Sequence, residues 1–197
     1  KAALAADPLG RAKDCGAEIQ FVLDREADCS VALNAMREGT LPLRVTHNDT
    51  KLNNVLMDEE TRQGICIIDL DTVMPGLVIY DFGDSIRFGA NHSAEDEKDL
   101  SKVNLDVDLF AVYTAAFLEG AGGSLTNEEI DYLPWGAKLM TLECGIRFLT
   151  DYLDGDHYFH ISREAQNLDR CRTQFKLAAD MEDRWAELEA IVRQYRK

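Results

Sequence analysis

The chain lacks a cysteine framework: its five cysteines, Cys15, Cys29, Cys66, Cys144 and Cys171, are odd in number, scattered and without a C-x-x-C pair, which argues against a disulfide scaffold or a zinc knuckle. They read instead as buried apolar fillers in a reducing compartment. No apolar run is long enough to span a bilayer and no secretory leader is visible, so the two N-x-[S/T] matches, at Asn48 and Asn91, read as accidental and a cytoplasmic location is expected. Positive charge is scarce: 21 Lys plus Arg face 36 Asp plus Glu, a formal charge of -15. Nucleic acid and anionic membranes are polyanions that call for basic patches, and both are therefore excluded as partners. Repeats and low-complexity tracts are absent too. What remains, 197 residues with 46% hydrophobic content, suits one compact domain or a large lobe with its own core.

The informative stretch runs from 46 to 71, THNDTKLNNVLMDEETRQGICIIDLD, and sets His47, Asp49, Asn54 and Asp69 in the order H-x-D-x-x-x-x-N…D. That is the pattern of a kinase-type catalytic loop followed by a metal-holding aspartate. Asp49 would face a substrate hydroxyl while Asn54 faces a metal ion. Between them and Asp69, NVLM and ICIID flank a polar turn and predict a β-hairpin whose closing ends bring Asn54 and Asp69 together as oxygen ligands of a hard cation. Magnesium fits, since it binds few protein oxygens and adds substrate phosphates. The bland alternative, solvated loop acids, must match four positions by chance.

ICIIDLDTV also fits the hhhhDxDx(T/V) signature of haloacid-dehalogenase-like phosphatases. Such a fold needs further strand and helix alternation downstream. Beyond residue 80 the pattern is almost wholly helical. A formylglycine sulfatase reading fails because no cysteine or serine opens a C/S-x-P-x-R motif.

Helices are predicted over 11–25 and 28–38, the second stopped by Gly39. Pro75 and Gly76 read as a turn before an amphipathic stretch over 80–89, with Asp81 and Asp84 as favourable charges near its start. A charged connection spans 92–105 and a helix 106–119. Thr126 to Glu129 form a capping box opening one helix to Leu153, and a last helix runs over 162–195 with its aromatics and methionines facing the core. The expected fold is α+β and mostly α, with a small β-hairpin insert carrying the catalytic loop.

Taken together, THNDTKLNNVL, IDLDTVMPG, YDFGDSIR and ECGIRFLTDYLDGDHYF resemble the C-terminal lobe of the aminoglycoside phosphotransferase and choline kinase superfamily, most closely the bacterial N-acetylhexosamine 1-kinases. The resemblance spans essentially all 197 residues. It implies the large lobe of a protein-kinase-like fold and ATP-dependent phosphorylation of the anomeric hydroxyl of GlcNAc or GalNAc. In that reading Asp49 orients or deprotonates the hydroxyl, Asn54 and Asp69 hold Mg2+ against ATP, and His47 braces the loop. Asp71 assists metal or substrate, or is structural. Arg147 and Tyr158 are implied sugar contacts, with a helical pair to Glu143 and a core aromatic as their respective alternatives. His157 and His160 receive no role. Nothing ahead of Thr46 resembles a nucleotide-covering lobe, with neither G-x-G-x-x-G nor a strand lysine, so 1–197 is expected to be the large lobe alone, inert in isolation and carrying an uncovered apolar interlobe surface. An aminoglycoside or choline kinase is the alternative enzyme, and a non-catalytic kinase-like binding module the alternative class.

Overall fold

A computed structural model of the chain describes residues 1–197. Short helices α1 (Ala2–Ala6), α2 (Gly16–Asp24) and α3 (Val31–Arg37) precede strand β1 (Arg44–Thr46). Then come β2 (Val55–Met57), β3 (Gly64–Ile67) and β4 (Met74–Gly76). The remainder is helical: α4 (Val78–Gly89), α5 (Val107–Gly120), α6 (Asn127–Asp131), α7 (Leu133–Asp154), α8 (Gln166–Asp183) and α9 (Trp185–Arg193). The fold is mostly α with two small antiparallel sheets, β1–β4 and β2–β3. No helix is long and apolar enough to cross a membrane.

Three elements differ from the sequence reading. Met74–Gly76 is a strand rather than a turn, in register with β1 through Arg44↔Gly76, Val45↔Pro75 and Thr46↔Met74. Pro75 is tolerated because a two-stranded ribbon has free edges, so its missing N–H interrupts no central ladder. The capping box is present with both arms formed at Thr126 and Glu129, but the helix it opens stops at Tyr132 and α7 restarts with Pro134 in its first turn. The final helix likewise breaks at Arg184. A one-residue break scarcely disturbs apolar periodicity, so two helices in sequence read as one. The cysteines divide: Cys15 and Cys171 are buried, Cys144 is half-buried, and Cys29 and Cys66 are exposed rather than core fillers.

The core has two parts. The larger surrounds Phe82, Phe110, Leu133 and Met181 and joins α4 and α5 to α7, α8 and α9. The smaller gathers Cys15, Phe148, Leu149, Cys171 and Phe175 beneath α1 and α2. Helices α4 and α7 cross with backbones almost touching: a Cβ on Gly83 would lie 2.1 Å from the Gly136 carbonyl oxygen, and one on Gly136 would lie 2.0 Å from that of Ile79. That contact fixes α4, and α4 carries the groups that hold the loop between β1 and β2. The 92–105 connection is pinned by Arg163 to Asp96 and by Arg87 to Glu95.

Candidate functional site

The 47–54 loop lies between β1 and β2, ahead of the β2–β3 hairpin rather than on it. Asp81, in the first turn of α4, is its anchor: the N–H of His47 donates to Oδ2 and that of Asn48 to Oδ1, both at 2.8 Å. Charge-assisted bonds of this kind are stronger than neutral ones. The Thr50 hydroxyl donates to the Asp81 carbonyl (2.6 Å) and the Ser85 hydroxyl to the Thr50 carbonyl (3.0 Å), tying the loop to the next turn of α4. From the other side Thr72 donates its hydroxyl to the His47 carbonyl (2.6 Å) and accepts from Asn48 Nδ2 at its own carbonyl (2.9 Å). Asn48 adopts a left-handed conformation, φ 65°, which asparagine tolerates better than most residues. The turn it makes sends Asp49 outward.

Asp49 meets two donors. Lys51 Nζ lies 2.8 Å from its Oδ2, and Asn54 Nδ2 donates to the same oxygen and to the Asp49 carbonyl, each at 2.8 Å. Partial burial raises the pKa of Asp49, but the bonds from Lys51 and Asn54 outweigh it and hold the carboxyl below its ordinary range. The bond to Asp49 raises Lys51, with Asp69 and Asp84 adding to it. Lys51 therefore sits among three carboxylates as a fixed positive charge. His47 braces: the tautomer with its proton on Nε2 donates to the Ile68 carbonyl (3.1 Å) while Nδ1 accepts from the Asp49 N–H (3.3 Å).

The hairpin pairs Val55 with Ile67, and the Ile68 N–H donates to the Asn54 backbone carbonyl at 2.9 Å, so Asn54 and the residue before Asp69 are bonded neighbours. Asp69 follows in a left-handed conformation, φ 63°. The Asn54 side-chain nitrogen is spent on Asp49, while its Oδ1 and the Asp69 carboxylate accept no hydrogen bond and could face a cation. Such a sparse set suits an ion that completes its shell with water and phosphates. Asp71 is exposed in the turn after Asp69. On the β2–β3 hairpin Ile65 and Ile67, two residues apart on one strand, are both exposed.

Arg147 and Tyr158 meet on another wall. Arg147 Nη2 donates to the Tyr158 hydroxyl (3.2 Å), and its guanidinium lies 5.5 Å from the Tyr158 ring centre and 5.3 Å from that of Phe159. Tyr158 is 73% exposed, so it is not a core aromatic. Arg147 also pairs with Glu143 one turn away, at 3.7 Å, which is worth only a few tenths of a kcal/mol on a helix surface. Asp84, whose charge reaches Lys51, is buried against Arg87 at 2.8 Å.

Lys51, Asp81 and Asp84 escaped the sequence reading. Lys51 stood inside the motif, between Asp49 and Asn54, and its place was the only signal for it. Asp81 and Asp84 read as helix-start charges: the loop that Asp81 holds lies more than thirty residues away, and the Asp84 pair with Arg87 is an ordinary i,i+3 contact that does not show its charge also reaching Lys51.

A family model described as a phosphotransferase enzyme family matches residues 3–114, more than half of the chain. The match takes in the loop, the hairpin and Asp81. It ends before α7, so Arg147 and Tyr158 lie outside it.

Proposed function

The chain belongs to the phosphotransferase enzyme family, and from that premise we propose that it carries the acceptor and metal half of an ATP-dependent small-molecule kinase that phosphorylates the anomeric hydroxyl of N-acetylhexosamines. The observation that carries the chemistry is Asp49, held ionised by Lys51 and Asn54 on a loop fixed from both sides. A carboxylate with a depressed pKa is a weak base, so its main work is orientation. It accepts a hydrogen bond from the acceptor hydroxyl and takes the proton once the new O–P bond has made that hydroxyl acidic. The acceptor oxygen bonds to the γ-phosphorus of ATP, the bond from that phosphorus to the β,γ-bridging oxygen breaks, and ADP leaves.

Asn54 and Asp69 would hold Mg2+, which supplies charge neutralisation for the phosphates. Lys51 adds a positive charge beside the transferring group, where a fixed charge in a preorganised site counts most. The exposed apolar side of the hairpin offers a bed for the nucleotide base, and Asp71 stands at the same rim. Residues 1–43 form helices and no strand. In this reading a nucleotide-covering lobe complements 1–197, and these residues in isolation are expected to turn over weakly or not at all.

The acceptor reading rests on Arg147 and Tyr158. A planar fork of donors suits sugar hydroxyls and an acetamido carbonyl. A cationic acceptor, as in an aminoglycoside or choline kinase, is favoured by the -15 charge, but at this wall the Arg147 guanidinium already stands over the Tyr158 and Phe159 rings, where a second cation would be repelled. The test is turnover of ATP by the full-length protein with GlcNAc, GalNAc, kanamycin and choline, with phosphorus NMR of the product. A hexosamine 1-phosphate supports the proposal. Turnover with kanamycin or choline alone replaces it with the cationic acceptor, and nucleotide or sugar binding without turnover replaces it with a kinase-like binding module.

A further inference from the structure

The C-terminal end of α7 holds a buried carboxylate that the phosphoryl-transfer chemistry does not use. Asp151, 5% exposed, lies one helical turn beyond Arg147 on the same side of α7. Its Oδ1 accepts from the N–H groups of His157 (2.9 Å) and Tyr158 (2.8 Å). Its Oδ2 accepts from the N–H of Phe159 (2.9 Å) and from Asn167 Nδ2 (2.8 Å). The chain can bring three successive N–H groups to one carboxylate because it reverses at Gly155, φ 111°, and Asp156, φ 61°, both left-handed. The reversal is held in turn: Asn167 spends its second amide proton on Asp156 Oδ1 (2.8 Å), and Arg11 Nη1 reaches Asp156 Oδ2 (2.6 Å).

Tyr158 is thus an exposed ring on a backbone held by a buried acid. A loop that served only to finish α7 would pack its aromatic residues inward, as half-buried Phe159 packs against Phe148. Here the buried groups fix the backbone beneath an outward-facing ring, with its hydroxyl set against Arg147. We propose that Asp151 is a positioning residue for acceptor recognition: by gathering the N–H groups of 157–159 it fixes the Tyr158 hydroxyl at Arg147, one turn back on the same helix. This rests on the reading that Arg147 and Tyr158 face the acceptor.

The experiment is steady-state kinetics of the full-length protein, well below its melting temperature, for wild type and for Asp151→Asn, Asn167→Ala, Tyr158→Phe and Arg147→Gln. Asp151→Asn keeps the shape but turns an amide towards N–H donors. Its acceptor KM should rise about tenfold while kcat and the KM for ATP stay within about twofold, because binding geometry and not the reacting groups is disturbed. Asn167→Ala removes the tether without touching the loop backbone, and should raise the acceptor KM in the same direction by less; it carries the test if Asp151→Asn does not fold. An unchanged acceptor KM in the Asp151 and Asn167 variants, with a lowered melting temperature, would overturn the proposal if Tyr158→Phe and Arg147→Gln do raise it. Should those two also leave it unchanged, the acceptor wall itself falls and this inference with it.

Discussion

Asp81→Asn is the most incisive perturbation of the loop. The wild-type carboxylate holds the N–H groups of His47 and Asn48 at 2.8 Å each. The amide keeps one oxygen, so one of these bonds survives in neutral form. The other is replaced by an NH2 group facing an N–H. A hydrogen bond to a charged group contributes about 1.5–3 kcal/mol, and a stranded donor adds to its loss. If that energy serves to place Asp49, kcat should fall about 10- to 150-fold at roughly 1.4 kcal/mol per decade. The KM for the acceptor should move little, since Arg147 and Tyr158 stand on α7 and its loop. The assay is ADP release by the full-length protein together with thermal unfolding, which should show a lower melting temperature. Turnover by Asp81→Asn within about twofold of wild type would refute the reasoning, and would mean that the Thr72 bonds to His47 and Asn48 suffice to set the loop.

Three further outcomes are expected. Asp49 has a depressed pKa, so its ionised form persists below the ordinary carboxylate range and is lost only as pH falls through that lowered value; Lys51→Met should move the acid limb of the pH–rate profile upward and cut kcat about 10²-fold. An unmoved limb would remove Lys51 from the account. Gly83→Ala pushes a methyl to 2.1 Å from the Gly136 carbonyl oxygen, and denaturant unfolding should show a loss of about 1–3 kcal/mol. Arg147→Lys keeps the charge but loses the fork, and acceptor KM measured against kcat should rise about tenfold with kcat nearly constant.

The sequence made the helical body legible because its apolar residues recur at helical spacing, and the capping box at Thr126 announced α6. It concealed the breaks at Tyr132 and Arg184, since each costs one residue and leaves the apolar stripe in phase. Pro134 was the signal for the first. β4 was hidden for another reason: Met74-Pro75-Gly76 has turn composition, and becomes a strand only because β1 offers it a partner. At the site, His47, Asp49, Asn54 and Asp69 could be picked out because the chemistry needs them within 23 residues of one another. Asp81, Asp84 and Asp151 could not. Asp81 holds a loop from another part of the chain and Asp151 a reversal after α7, and no spacing encodes either contact; the Asp84 pair with Arg87 is at helical spacing, but that spacing does not show its charge reaching Lys51. The exposure of Cys29 and Cys66 follows from their positions at the loop before α3 and in the two-stranded hairpin, where no layer covers them.

The central claim is that the loop around Asp49 transfers a phosphoryl group. The most direct test is ADP formation by the full-length protein with ATP, magnesium and N-acetylhexosamine, wild type against Asp49→Asn. Turnover that depends on the sugar and disappears in Asp49→Asn, with the folded state intact by circular dichroism, is the predicted result. Sugar-dependent turnover that survives Asp49→Asn would contradict the account and place the chemistry elsewhere.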